Sequence, residues 1–486
     1  MATRSAGRIS RTLTPAFQVS ARHKSSMVSA GSCPVLHGTE ANVVVKDYSQ
    51  VPGPRPIPLL GNTWRFIPFV GDYRIEEVDK VSVRLHRQYG NIVKISGLLG
   101  RPDMVFLYDA DEIEKVFRNE ELMPHRPSMP SLNYYKHKLR KDFFGDDAGV
   151  IAVHGENWYK FRTKVQQPML QPRVSRLYIE PISNTADEFI SRVREIRDSK
   201  LEVPADFLNE IHKWSLESIA RVALDVRLGC LDGILELKVP FWKLFSTPTW
   251  NKYINALDKI TKLKVEVNEK SSLVQRVLAL DPSNPKIAAI LALDLFLVGI
   301  DTTSAAVASI ISTQHQREKQ EKLKEEIDRV FPGSNDEITY QKLEEMSYLK
   351  ACIKKFLRMR PVVIGNGRCM TQDTVICGYN IPKGVQVVFQ HYVISNSDRY
   401  FSEPEKFLPE RWLKSSKENH HPFAALPFGY GRRMCLGRRF ADLEIQTIIT
   451  KMIQAFKIEY HHEELEYRIH PMYMPDGPLR FKCIDR

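Results

Sequence analysis

Apolar residues run through this chain in two rhythms. Between about residues 155 and 355 they recur at three- and four-residue intervals with charged residues between them, as in Arg317–Val330, and this spacing predicts amphipathic helices. Ile287–Ile311 is apolar enough to read as one long helix, roughly 37 Å at 1.5 Å per residue, enough to cross a domain core. After Pro361 the pattern changes: Thr374–Cys377, a Gly-Tyr-Asn turn and Val385–Gln390 predict short strands. Asn91–Ile95 and Pro102–Leu107 predict two more around a Gly-Arg-Pro turn. The acidic run Asp109-Ala-Asp-Glu112 predicts an N-cap for a helix through Arg118. Val51–Gly61 is proline-rich and is expected to be stiff and extended. The expected fold class is mainly α with a smaller β region (α+β), the sheet assembled from distant segments.

At 486 residues the chain can bury a large core, and length alone suggests two or three domains. No internal repeat, low-complexity tract or Gly/Ser linker divides it. Seven cysteines (Cys33, Cys230, Cys352, Cys369, Cys377, Cys435 and Cys483) are odd in number and lack a Cys-x-x-Cys pair. That argues against a disulfide scaffold or a zinc site and fits a reducing compartment. The net charge of +12 is unevenly placed. No acidic residue precedes Glu40, while Arg4, Arg8, Arg11, Arg22 and Lys24 lie among Ser, Thr and Ala. This composition reads as a mitochondrial transit peptide over residues 1–40, the plainer reading being a disordered basic tail. No apolar core precedes a small-residue cleavage site, and no uninterrupted run of about twenty apolar residues is present to span a bilayer. No basic-aromatic patch or nucleic-acid module accompanies the positive balance, so nucleic acid is not an expected partner.

The most informative chemistry lies in Phe428-Gly-Tyr-Gly431-Arg-Arg433-Met-Cys435-Leu-Gly437. A glycine-rich turn precedes the cysteine, and Ala441, Ile445, Ile448, Met452 and Phe456 keep helical spacing after it. A helix is therefore expected just past Cys435, and its N-terminus, with Arg433 nearby, should favour thiolate over thiol. A thiolate beside glycines, where a flat macrocycle can approach the backbone, suits a proximal haem ligand; the plainer reading is a buried structural cysteine. In the long apolar helix, Asp294, Val298, Asp301 and Thr302 fall at i, i+4, i+7 and i+8, on one face. Buried carboxylates cost several kcal/mol without partners or water, so this face is expected to line a cavity.

The pattern Phe428, Gly431, Arg433, Cys435, Gly437 closely resembles the haem-binding signature of cytochrome P-450. The resemblance spans roughly residues 50–486 and is nearest the insect mitochondrial branch. It implies the cytochrome P-450 fold, with residues 41–486 as a single haem-thiolate monooxygenase domain and Val51–Gly61 as its hinge. The implied cofactor is heme b (iron-protoporphyrin IX), with Cys435 as metal ligand and Phe428 in the cofactor-binding loop. Val298-Gly-Ile-Asp301-Thr302-Thr303 resembles the distal-helix motif, which implies Asp301 and Thr302 as the proton-delivering acid–alcohol pair and Gly299 as room for dioxygen. Val298 departs from the small residue of that motif. Trp158-Tyr-Lys-Phe-Arg162 resembles the segment whose Trp and Arg hold a haem propionate, and Arg368 and Arg433 resemble further propionate-binding bases. Each arginine alone reads as readily as a surface charge.

Lys350, Lys354, Arg438 and Arg439 resemble the basic positions through which mitochondrial members dock an acidic ferredoxin, itself reduced by an NADPH-dependent reductase. A solvated basic face is the plainer reading. The branch implies a matrix-side protein peripherally associated with the inner membrane, oxidising a lipophilic substrate, a xenobiotic or a steroid.

One position breaks the family pattern. Where the family has Glu-x-x-Arg, this chain has Lys355-Phe-Leu-Arg358. Lys355 is then expected to face Arg358 and Arg411, the arginine of the meander motif Pro409-Glu-Arg411-Trp412, as three like charges. Two segments also look short, between Asp232 and Val239 and between Ile311 and Arg317. These features leave a catalytically impaired or non-catalytic haem- or lipophile-binding member as the alternative to an active enzyme.

Overall fold

The computed structural model describes residues 44–232, 267–313, 316–333, 336–470 and 472–486. Residues 1–40, where a leader is expected, and the short segment 233–239 lie outside the described residues. Val45–Arg486 is one compact unit.

The long apolar stretch forms the helix Lys286–Thr313, and the charged segment after it forms Arg317–Val330. Of the junction between them, residues 314–315 lie outside the described residues. Asp109 caps Ala110–Arg118, its carboxylate accepting the backbone N–H of Asp111 at 3.0 Å and of Glu112 at 3.1 Å. The strands occupy the predicted places with trimmed ends. A four-stranded sheet runs Ile92–Ile95, Met104–Leu107, Gln386–Phe389, Asn366–Cys369. Met104–Leu107 pairs parallel to Gln386–Phe389 across a separation of some 280 residues in sequence, while the outer pairs are antiparallel. Sequence-distant segments thus complete the sheet, and its edge strand carries Arg368.

Two apolar clusters hold these parts. In the larger, Trp214 of helix Phe207–Leu224, Ile290 and Ala306 of the long helix, and Ile448 and Met452 of helix Arg438–Ala455 are buried together. In the second, Val93, Val105, Val387 and Phe389 of the sheet pack with Leu85 and Phe117. Lys286–Ser312 is long and apolar enough to cross a membrane by composition, with a mean hydropathy of 1.8. Counting uninterrupted apolar residues misses it because Asp294, Asp301 and several hydroxyl residues interrupt the run. Its residues are mostly buried inside the protein, the ordinary setting of a helix that is apolar all round.

Candidate functional site

The cysteine loop is built by short-range rules. Gly431 has φ +74°, and a Cβ there would stand 2.4 Å from Glu120 Oε2, so only glycine lets the turn close on that carboxylate. The Cys435 N–H donates to the Phe428 carbonyl at 2.9 Å, which fixes the loop across its neck. The helix Arg438–Ala455 begins just past the cysteine, with Gly437 as its N-cap. Cys435 is exposed by area, yet surrounding protein desolvates its thiol and raises its pKa. Both hold for a side chain that lines an interior recess. The backbone N–H of Gly437 and the charges of Arg162 and Arg126 act in the opposite direction, toward thiolate. Arg433, the arginine expected beside the cysteine, turns its Nε to the Pro124 carbonyl and its Nη1 to the Val153 carbonyl, both at 2.9 Å.

Arginines crowd around this loop. Trp158 and Arg162, one helical turn apart on Gly155–Leu170, are both buried. Arg162 Nη2 donates to the Met434 carbonyl at 2.9 Å, one residue before the cysteine. The Arg433 guanidinium lies over the Trp158 ring at 3.8 Å. Arg368 reaches from the sheet edge to Glu120, its Nε at 2.6 Å from Oε1. Burial lowers the pKa of Arg433 to about 9 and of Arg162 to about 10; Arg126 adds to both effects, and Arg368 and Arg162 to the first. Nε of Arg126, Nε of Arg162 and Nη2 of Arg433 are buried without a hydrogen-bond partner. Buried N–H donors of cations without acceptors are costly. A flat group carrying two carboxylates would answer them, so the residues present fit a haem and its propionates.

Sequence reasoning missed four of these groups. Arg126 and His125 lie in Pro124-His-Arg-Pro127, a segment with no helical or strand period. His154 precedes the helix of Trp158, and its ring meets His125 edge to face at 4.4 Å. Burial first, then His125, Arg433 and Arg126, lower the His154 pKa to about 4. Glu120, the carboxylate set among the arginines, sits two residues past a helix end. The one available signal was a basic pair held between prolines.

On the long helix, Leu297, Val298, Gly299, Asp301 and Thr302 are half-buried between fully buried neighbours. Burial raises the Asp301 pKa to about 6. His212, from helix Phe207–Leu224, places Nε2 3.7 Å from Asp301 Oδ1. Burial lowers the His212 pKa to about 4, so the pair is a neutral ring beside a carboxyl group rather than a salt bridge. Thr302 Oγ1 donates to the Val298 carbonyl at 2.7 Å.

Two expectations for this helix are corrected. Asp294 keeps the face of Asp301 but lies two helical turns away and is already engaged by other groups. It is buried against Lys136 at 2.7 Å and accepts the Val150 N–H at 2.8 Å, anchoring the 136–151 segment. Gly299 does not open space: a Cβ there would meet Ile219 Cδ1 at 2.6 Å, so the glycine admits helix Phe207–Leu224 at close range.

The basic positions separate. Arg438 lies 3.7 Å from Asp442, and Arg438, Arg439 and Lys354 all bear on that carboxyl group, so these three share one neighbourhood. Lys350 is diverted to Glu344, with Nζ 3.1 Å from Oε2 and 3.0 Å from the backbone carbonyl. Lys355 is wholly buried beside Arg358 and Arg411, as the sequence predicts, and its Nζ has no partner. Burial, then Arg358 and Arg411, lower its pKa to about 7.

A cysteine lining an interior recess, a ring of arginines short of carboxylates and a long helix with an acid beside a threonine agree with what known proteins show. The family model for cytochrome P450 matches residues 51–482. The chain is 46% identical to the probable cytochrome P450 49a1 of Drosophila melanogaster, over 93% of this chain and 85% of that protein. It is also 46% identical to the probable mitochondrial cytochrome P450 301a1 of the same fly, over 93% and 89%, and 32% identical to cytochrome P450 CYP12A2 of Musca domestica, over 97% and 96%. The chain belongs to the cytochrome P450 family, haem-binding monooxygenases, with relatives in its insect mitochondrial branch.

Proposed function

We propose that Cys435 would hold the haem iron through its sulfur and that the chain inserts one atom of dioxygen into a lipophilic substrate in the mitochondrion, using electrons from a ferredoxin. The observation that carries this reading is the desolvated Cys435 thiol in a recess ringed by Arg126, Arg162, Arg368 and Arg433. When bound, the haem supplies the oxygen-activating chemistry, which thiolate ligation favours.

The chain's own groups do the rest. The three unpartnered guanidinium donors of Arg126, Arg162 and Arg433 would hold the propionates. Arg162 also ties the Met434 carbonyl, so binding and ligand position are coupled. Asp301 sits close to half-protonation just below neutral pH, which suits a group that both takes up and releases a proton. Thr302, the next residue, holds its hydroxyl hydrogen on the Val298 carbonyl, leaving the oxygen lone pairs to accept a hydrogen bond from a donor in the recess. Lys354, Arg438 and Arg439 offer a basic face, near the helix that follows Cys435, to an acidic electron donor. The Arg- and Ser-rich stretch 1–40 serves as the import leader, the protein lies matrix-side against the inner membrane, and a xenobiotic is favoured over a steroid because the relatives are insect mitochondrial members.

A second reading rests on Lys355. Three buried cations could leave a chain that binds haem or a lipophile but turns over poorly. Turnover of a panel of lipophilic compounds, with a mitochondrial-type ferredoxin and its reductase, separates the two. The proposed function expects product formation that requires the ferredoxin and weakens with salt. Haem uptake without product across the panel would favour the second reading, and turnover supported only by a flavoprotein reductase would contradict the electron donor.

A further inference from the structure

Helix Ser347–Met359 and the turn Pro409–Trp412 pack together and bring three cations into the interior. Lys355 is 0% exposed, Arg358 1% and Arg411 5%. Each keeps one N–H-bearing nitrogen buried without a partner: Lys355 Nζ, Arg358 Nε and Arg411 Nε. Their other donors are committed. Arg358 gives its two terminal nitrogens to the Ser395 and Pro404 carbonyls. Arg411 gives Nη1 to Glu418 at 3.1 Å and Nη2 to the Ser402 carbonyl at 2.6 Å. Glu418 is partly exposed and also lies 3.6 Å from His420 and accepts from Ser402, so it sits at the rim of the cluster. Glu405 contributes attraction without a hydrogen bond to any of the three.

A buried cation without a counter-charge costs several kcal/mol. Lys355 can lower that cost by losing its proton, but an arginine cannot. A water molecule in the cluster would accept one or two of the donors and leave the charge uncompensated. A negative ion beside these N–H groups would accept from them and offset the repulsion as well. We infer that Lys355, Arg358 and Arg411 form a binding site for a small inorganic anion of the size of chloride. The burial of all three side chains favours a small ion over a larger oxyanion. With the ion in place Lys355 stays charged; without it, burial and the two arginines bring its pKa down to about 7.

The test uses the haem-loaded full chain, in which the arginines around Cys435 are occupied. Thermal unfolding is followed at pH 7 and constant ionic strength while gluconate is replaced by chloride. For a site half-filled at about 10 mM, going from 1 to 100 mM chloride shifts the folded-to-unfolded ratio about tenfold. Lys355→Glu, which puts a carboxylate in the cluster, is expected to show no chloride-specific shift, and Lys355→Met a weakened one. Crystals grown in bromide are expected to show an anomalous peak within hydrogen-bond distance of Lys355 Nζ and the two Nε atoms. The site is overturned if chloride and gluconate act alike, if Lys355→Glu keeps the full chloride response, or if bromide is absent from the cluster. If the Lys355 variants do not fold, the bromide position alone decides.

Discussion

Arg126, Arg162, Arg368 and Arg433 form one crowd of buried cations, and Lys355, Arg358 and Arg411 form another. Both carry the same signature: N–H donors buried without acceptors, and burial that lowers the pKa of Arg126, Arg162, Arg368 and Arg433 in the first and of Lys355 and Arg358 in the second. They differ in what answers the charge. The first crowd surrounds the cysteine loop, contains one carboxylate in Glu120, and fits the two carboxylates that the family's cofactor brings. The second has Glu418 at its rim and no cofactor to draw on. An electrostatic defect in an isolated chain is thus a cofactor site in one place and, wherever its small anion is missing, a stability cost in the other, and the difference lies in the ligand rather than in the side chains.

The sharpest way to break this comparison is to change the sign at one position of the second crowd. Lys355→Glu is expected to stabilise the haem-loaded chain by about 3 kcal/mol or more, since it replaces an unpaired buried charge with a paired one. The melting temperature and the haem retained after heating both report it; an unchanged haem-to-protein ratio and melting point would mean that the cation cluster is not a defect. The first crowd should answer in the opposite way. Arg126→Gln removes a cation that the haem-free chain leaves without a partner at Nε, so haem-free stability should change little. Haem retention should fall by about 1.5–3 kcal/mol, roughly tenfold to a hundredfold, measured by transfer to apomyoglobin.

The two crowds also differ in pH response. In chloride-free buffer, native Lys355 loses its proton near pH 7 while the unfolded lysine keeps it to about 10.4. The unfolded state then binds more protons between these values, so stability contributed at this position rises with pH across that window. Subtracting the profile of Lys355→Met from that of the parent chain should reveal the rise, and chloride should flatten it. Asp301 has the reverse sign. Its folded pKa of about 6 lies above the unfolded value near 4, so its contribution falls as pH rises from about 4 to 6. Asp301→Asn should therefore raise stability at pH 7 by about 1–3 kcal/mol while lowering turnover and diverting electrons to peroxide. The smallest stability effect belongs to cations left in water. Lys354→Glu with Arg438→Glu should leave the melting temperature nearly unchanged yet slow ferredoxin association at low salt, the gap closing as salt is added.

Much of this was legible because it rests on local rules. The apolar run of Lys286–Thr313, the amphipathic period of Arg317–Val330, the Asp109 cap and the glycine turn before Cys435 each depend on residues within a few positions of one another. The cation at Lys355 was equally plain, since i and i+3 share a helix face. What escaped is what tertiary packing alone joins. Arg126 lies in an aperiodic segment between prolines, and only the fold sets it among Arg162, Arg368 and Arg433. Asp294 looked like a companion of Asp301 by helical spacing, and it does keep that face, but seven positions set it about 10 Å along the axis. Lys136, 158 residues away in sequence, captures it instead. Gly299 looked like space for a small molecule, and its empty side is taken by Ile219 of a neighbouring helix.

The central claim is that the sulfur of Cys435 holds the iron as thiolate. The most direct measurement is the difference spectrum of the reduced, haem-loaded chain with and without carbon monoxide, for the parent chain and for Cys435→Ala. The account predicts the Soret position of thiolate ligation in the parent chain and its loss in the variant. A thiolate-type band that survives Cys435→Ala would contradict it.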